Sequence, residues 1–307
     1  MSRVVIGLAL GGGAARGLAH LGLIEVLRRD GVPIDLVAGT SMGALVGGAF
    51  CRDGTIEPVM ADAVTYLRSP SFKAARIHRL RRNAEETQAS MLDTVSQYIA
   101  RGRAIAQTVT RPSVLEAADL YEVLAAFVDD RDIRSLKVPF RAVTTDIVTG
   151  EQVVVDRGSL IDAVAASSAV PGAFPAVPLG KRLCVDGGIR NMVPVTVARA
   201  MGADYVIAAN VIHELPMLEG DTRALEIYFR THQITKRALT ELQLEFADTV
   251  ITPQVGHIHW ADFTRADDLI EAGRRAARDA LPAIRRDLAR LRRLPRFLRR
   301  HKRWPHA

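Results

Sequence analysis

Residues 3–10, RVVIGLAL, are a short apolar run that ends in Gly11-Gly12-Gly13. A run of that length bounded by glycine predicts a buried strand. Leu18, Leu21, Ile24 and Leu27 then recur at helical spacing as far as Asp30-Gly31, which predicts a helix and its stop. Ile34 to Ala38 reads as a second buried strand, and the small-residue stretch Ala44 to Phe50 as a helix packed closely against it. Further on, Met91, Leu92, Val95, Tyr98, Ile99, Gly102, Ile105 and Val109 recur every three or four residues, an amphipathic helix ending near Arg111-Pro112. Ser113-Val114-Leu115-Glu116 has the form of a capping box opening another helix. Residues 139–157 read as a hairpin with Val148-Thr149-Gly150 at its turn, and Ser159 to Asp162 caps the next helix. Pro194 opens a helix closed at Gly202, Asp204 to Val211 and Thr249 to Val255 are strands, and a last helix runs to about Leu294.

Composition changes this picture little. The chain has 307 residues and 48% apolar content, enough for one large α/β domain or two small ones. Cys51 and Cys184 lie in apolar segments and read as buried free thiols of a reducing compartment. Neither has neighbours with metal-ligand spacing, so no metal is expected. The first apolar run is too short for a signal peptide, and Ala163 to Gly180, though uncharged, is broken by Pro171, Pro175 and Pro178. The net charge of +7 is unevenly spread. Residues 274–306 hold 13 Lys and Arg against two acids, which leaves the remainder at −4. The body of the protein is therefore not a basic nucleic-acid surface. The end of the chain mixes Phe297, Leu298 and Trp304 with arginines, a composition suited to an anionic bilayer.

The chemistry centres on Gly39-Thr40-Ser41-Met42-Gly43, which lies between a strand and a helix. G-x-S-x-G in that context is a nucleophile elbow: a sharp turn exposes the serine, and Gly39 and Gly43 let strand and helix pass closely. Gly11 to Gly17 is a loop able to present backbone N–H groups to an anion. A dinucleotide fingerprint would need glycine at Arg16 or Ala14, and the P-loop lysine is absent, so an oxyanion fits better than a nucleotide. Asp186-Gly187-Gly188 follows the apolar run Leu183-Cys184-Val185, which puts a carboxylate at a strand end. None of the eight histidines occupies a strand-end motif. His257 and His259 read as loop residues, and His20 as a helix-face residue near the glycine loop.

Together these stretches resemble the patatin-like phospholipase family, in its compact bacterial branch. Thr145-Asp146 with Thr149-Gly150-Glu151, the run Ser167 to Pro175, Ala247-Asp248 before Ile251-Thr252-Pro253, and Asp262-Phe263 with Leu269 to Gly273 extend the resemblance over about residues 3–285. Ala14 stands where many members carry glycine, and serves there provided its backbone avoids positive φ.

The resemblance implies an α/β fold of three layers, α/β/α, around a central mostly parallel sheet. It implies a catalytic dyad of Ser41 as nucleophile and Asp186 as base, with Gly187 and Gly188 completing the second motif. Backbone N–H groups of Gly11, Gly12, Gly13 and Met42 would form the oxyanion hole, and Arg16 would anchor the loop through carbonyls or meet a lipid phosphate. The expected activity is phospholipase A- or lysophospholipase-like cleavage of lipid esters through an acyl-enzyme, without a cofactor. The alternatives are a small-ester esterase, an acyltransferase, or a membrane-associated regulatory protein. One domain is expected over 1–293, with a basic tail at 294–307 meeting an anionic membrane. A helical insertion at 66–137 would be a lid, a dimer face, or a helix pair packed on the sheet. The expected setting is cytoplasmic or peripheral on the inner membrane face, with a homo-oligomer allowed and no specific nucleic acid.

Overall fold

The computed structural model describes residues 3–74, 113–212 and 224–295. The helix expected at 91–109, residues 75–112 of the expected helical insertion and nearly all of the basic tail lie outside them.

Strands β1 (Ile6–Leu10), β2 (Leu36–Thr40), β3 (Phe140–Asp146), β7 (Tyr205–Ala209) and β8 (Thr249–Ile251) run parallel, in the spatial order β3-β2-β1-β7-β8. Strand β4 (Gln152–Val155) pairs antiparallel with β3, as does β6 (Arg182–Asp186), and β5 (Val177–Leu179) pairs antiparallel with β6. The register decides where β6 lies. Residues 142–145 of β3 face β4, while 140–143 face β2 and 144–146 face β6. A strand has two edges, so β2 and β6 share the edge opposite β4 and meet there end to end. Thr40 pairs with Val143, and Asp186 with the next residue, Thr144.

Alternation along the strands builds two cores. Ile6, Leu8, Leu10, Val37 and Phe140 face one side, against helices α1 (Ala19–Arg29), α2 (Met42–Asp53) and α3 (Glu57–Arg68). The short helix α4 (Pro70–Ala74) follows, and α5 (Ala117–Leu124) and α6 (Leu160–Ser168) join the same side. Ala9, Leu36, Ala38, Val143, Val206 and Ala208 face the other, under α7 (Val195–Ala200) and the end of α8 (Ala224–Leu244). The result is the three-layer α/β/α architecture with a mostly parallel sheet. Several elements differ from the sequence reading. Strand β5 and helix α8 were not foreseen, and α5 begins at Ala117 with Glu116 and Asp119 as its capping box, not at Ser113. The Val114 and Leu115 N–H groups donate to Gly172 O and Ala173 O, which holds that segment extended. Leu120, Leu124, Val128, Ile133 and Leu136 belong to the main core, so the described part of 113–137 packs against the body.

The last helix, α9 (Ala266–Arg293), crosses α1 at two glycines. A methyl group at Gly22 would stand 2.0 Å from Ile270 O, and one at Gly273 would stand 1.9 Å from Ala19 O. Arg274 Nε bonds Glu25 Oε2 at 2.6 Å beside the crossing. An exposed helical glycine changed to alanine gains about 1 kcal/mol of stability from helix propensity. Here the sign reverses, because backbone atoms block the methyl. Gly273→Ala is expected to lower stability by about 1–3 kcal/mol, read as a lower urea midpoint. An unchanged or higher midpoint would mean that the two helices do not meet at these positions.

Candidate active site

The elbow begins with a close approach. A Cβ on Gly39 would lie 2.4 Å from Gly43 O, and a Cβ on Gly43 would lie 2.2 Å from Leu10 O. Between them Ser41 sits at φ 53°, ψ −123°. Such a conformation in a non-glycine residue costs about 1–3 kcal/mol and persists only when its surroundings enforce it. The Ser41 N–H donates to Ser167 Oγ at 2.9 Å, and that hydroxyl donates to Val143 O at 2.6 Å. The Ser41 carbonyl accepts from Ala44 N at 2.8 Å and Leu45 N at 3.0 Å, the first turn of α2. Thr40 Oγ1 donates to Asn191 O at 2.9 Å.

Asp186 arrives at the same point from the opposite direction, at the end of β6. Its N–H donates to Ala169 O at 2.9 Å, and its Oδ1 accepts from Gly188 N at 2.7 Å. A Cβ on Gly187 would be 2.1 Å from Val143 O, so the turn after Asp186 is pressed against β3. Both side chains are buried, Ser41 at 8% and Asp186 at 6% exposure. Burial raises the Asp186 pKa; the Lys236 charge, a hydrogen bond with the Ser41 hydroxyl and the Gly188 N–H oppose that rise. Burial lowers the Lys236 ammonium, and Asp186 draws it partly back.

The glycine loop lies against the serine. A Cβ on Gly12 would come within 3.1 Å of Ser41 Cβ. Two of the four expected oxyanion donors are engaged elsewhere: Gly11 N donates to Ala209 O and Gly12 N to Met192 O, both at 3.0 Å. These N–H groups fix the loop in place of facing the serine, which corrects the expectation for Gly11 and Gly12. Gly13 N and Met42 N have no protein acceptor among the described residues. Met42 is also the first residue of α2, where the helix dipole favours negative charge. Ala14 adopts φ 47°, against the condition set for it above. The clamps beside it are Ala15 N to Trp260 O at 2.8 Å and Arg16, whose Nε and Nη2 donate to Ile258 O at 2.8 Å and Gly256 O at 3.1 Å. Arg16 thus meets carbonyls, the first of its two expected roles. His20 Nε2 bonds Gly11 O at 2.7 Å. A carbonyl only accepts, so the proton is on Nε2; burial pushes the His20 pKa down to about 4 and the ring is neutral. His257 is exposed, and His259 Nδ1 accepts from Ala261 N at 3.2 Å in the same loop.

One apolar pocket opens on Ser41. Leu45, Val59, Leu124, Val170 and Phe174 are among its walls, and Met42 sits beside the serine. Among the described residues no group of three His, Cys, Asp or Glu is placed to hold a metal ion, and no helix is long and apolar enough to cross a membrane. Cys51 and Cys184 are buried free thiols.

Two residues escaped the sequence reading. Ser167 lay within a quoted motif, but nothing in its spacing assigned it to the Ser41 N–H. Lys236 lies on α8 with Gln233, Thr240 and Gln243, a polar stripe that reads as a solvated face. That stripe points inward: all three neighbours are buried, and Gln243 Nε2 donates to Arg190 O at 2.8 Å, close to the Asp186 turn.

The chain is similar to several known proteins. An uncharacterised NTE family protein of Mycobacterium tuberculosis is 28% identical over 302 residues, covering 91% of this chain and 46% of its own length. The chain thus spans about half the length of that relative. Patatin-like phospholipase domain-containing protein 7 of Mus musculus is 33% identical over 208 residues, 67% of this chain and 13% of that protein. The crystal structure of VipD from Legionella pneumophila superposes with a TM-score of 0.46 at 15% identity, over 92% of this chain and 67% of that one. The model of the patatin-like phospholipase family matches residues 8–199, a span that contains the glycine loop, the elbow and Asp186, and the chain therefore belongs to that family.

Proposed function

We propose that residues 1–293 form a serine acyl hydrolase that cleaves carboxylic ester bonds of lipids. The observation that carries the reading is the strained Ser41, within hydrogen-bond reach of a buried carboxylate and at the mouth of an apolar pocket. An apolar wall favours an acyl chain by about 25 cal/mol per Å² removed from water, and among the described residues no charged group lines it. In the reaction, Asp186 takes the Ser41 hydroxyl proton as Oγ attacks the ester carbonyl. The oxyanion faces the free N–H groups of Gly13 and Met42. Collapse of the tetrahedral intermediate expels the alcohol, which receives the proton from Asp186, and leaves an acyl-serine. Water, deprotonated by Asp186, then releases the fatty acid and restores the dyad.

Covalent labelling by a fluorophosphonate tests the nucleophile. Wild type is expected to label at Ser41, Ser41→Ala to lose the label, and Asp186→Asn to label about a hundredfold or more slowly, in line with loss of a general base. Equal labelling of wild type and Ser41→Ala would end the reading.

The pH dependence follows from the base. Asp186 acts only when ionised, and burial holds its pKa above the ordinary carboxylate range, so kcat/KM is expected to fall on acidification earlier than for an exposed aspartate. Lys236 opposes that rise, so Lys236→Met is expected to move the acid limb to still higher pH. A limb that stays in place would mean that Lys236 does not act on Asp186.

A further inference from the structure

The β3–β4 turn carries aliphatic residues that the fold does not use. Asp146-Ile147-Val148-Thr149-Gly150 is a tight turn: Gly150 N donates to Asp146 O at 2.8 Å, Val148 N to Asp146 Oδ1 at 3.0 Å, and Gly150 takes φ 74°. Polar residues and glycine dominate such turns. Here Ile147 is 51% and Val148 76% exposed. Ile147 N donates to Leu183 O at 2.9 Å, which brings a third aliphatic, 41% exposed, to the same place. Lys181 and Arg182 are exposed beside Leu183; of the two acids there, Asp146 is buried in the turn and Glu151 pairs with Arg182 at 3.7 Å. The patch is apolar, and its exposed border carries two cations, Lys181 and Arg182, against one acid, Glu151.

Its position follows from the register. Strand β6 meets β2 end to end, so everything before Asp186 in β6 stands beyond the C-terminal edge of the parallel strands, where Ser41 also lies. At about 3.3 Å per residue, the Lys181 turn reaches roughly 16 Å beyond Asp186. The β3–β4 turn projects on the same side.

We propose that this β-projection, through Ile147, Val148 and Leu183 with Lys181 and Arg182, docks the protein on an anionic lipid bilayer. Aliphatic side chains enter the interface while the cations meet lipid headgroups. The choice of partner rests on the lipid-hydrolase reading above; the surface itself does not. Docking there sets the dyad's end of the sheet toward the bilayer that supplies the ester.

The test uses the full chain and vesicles of phosphatidylcholine with phosphatidylglycerol, read by co-sedimentation at low and raised salt. Val148→Glu is expected to weaken binding about tenfold or more, with a larger relative loss at raised salt, where purely electrostatic attachment is screened. Hydrolysis of a monomeric short-chain ester by Val148→Glu should match wild type, because Val148 touches nothing in the site. As a second measurement, Val148→Trp is expected to show a blue-shifted added emission on vesicles. Unchanged binding of Val148→Glu together with unshifted emission of Val148→Trp overturns the proposal. So does a change from dimer to monomer in Val148→Glu with vesicle binding intact, which would make the patch a contact between copies. Binding that depends on Val148 in a protein that hydrolyses no ester supports the docking surface and ends the hydrolase reading, so the two failures are distinguishable.

Discussion

One edge of β3 serves two strands, and the site depends on that arrangement. β2 rises along it to Thr40, and β6 descends along it to Asp186; they occupy consecutive positions, Val143 and Thr144. A parallel strand ends in a helix N-terminus, and an antiparallel one delivers a side chain to meet it. Ser41 and Asp186, 145 positions apart in sequence, are thereby brought together by backbone pairing, with no long side chain needed to span a gap. The glycines follow from the same crowding. Gly39 and Gly43 let α2 turn back over β2 and β1, and Gly187 lets the chain leave β6 against β3.

The strain is local. Among the described residues, Ala14 and Ser41 are the only non-glycine residues at positive φ, one on the glycine loop and one at the elbow. Each is held by bonds from a different element. Ser41 is tied through Ser167 to β3, and the loop around Ala14 is tied through Arg16 and Ala15 to the 256–260 segment. The His20 bond to Gly11 O and the N–H bonds of Gly11 and Gly12 fix the other end of the loop. With both ends fixed, Gly13 N and Met42 N remain unpaired among the described residues, without collapsing onto a protein carbonyl. Donors kept free in this way need no reorganisation when charge develops beside them.

How much of this was legible in the sequence depended on how local the signal was. The elbow, the glycine loop and Asp-Gly-Gly are contiguous motifs whose residue types follow from backbone geometry, and strands β1 and β7 are unbroken apolar runs. What could not be read is non-local. Which loop N–H groups are free depends on Ala209 and Met192. The start of α5 moved because Val114 and Leu115 found partners near Gly172. Helix α8 defeats periodicity altogether: it buries Gln233, Thr240 and Gln243 and exposes Ile227, Ile234 and Leu242, the reverse of the usual amphipathic order. Its inner face covers a charged site, so the polar residues belong inside.

That inversion bears on the chemistry. A carboxylate taken out of water resists ionisation, and a base that stays protonated cannot accept the serine proton. Exposing Asp186 would restore its charge, but water would then compete for the site and weaken every dipole aimed at it. A cation on the covering helix permits both burial and charge. Lys236 favours ionised Asp186, the Gly188 N–H adds a directed bond, and the Ser41 hydroxyl supplies the third interaction. A full hydrogen-bonded ion pair would hold the carboxylate too low in basicity to take a proton from a hydroxyl. The arrangement lies between these limits, with burial the largest influence and the charges opposing it. In the proposed dyad, the polar underside of α8 is therefore part of the physical reason that Asp186 could act as a base without a histidine.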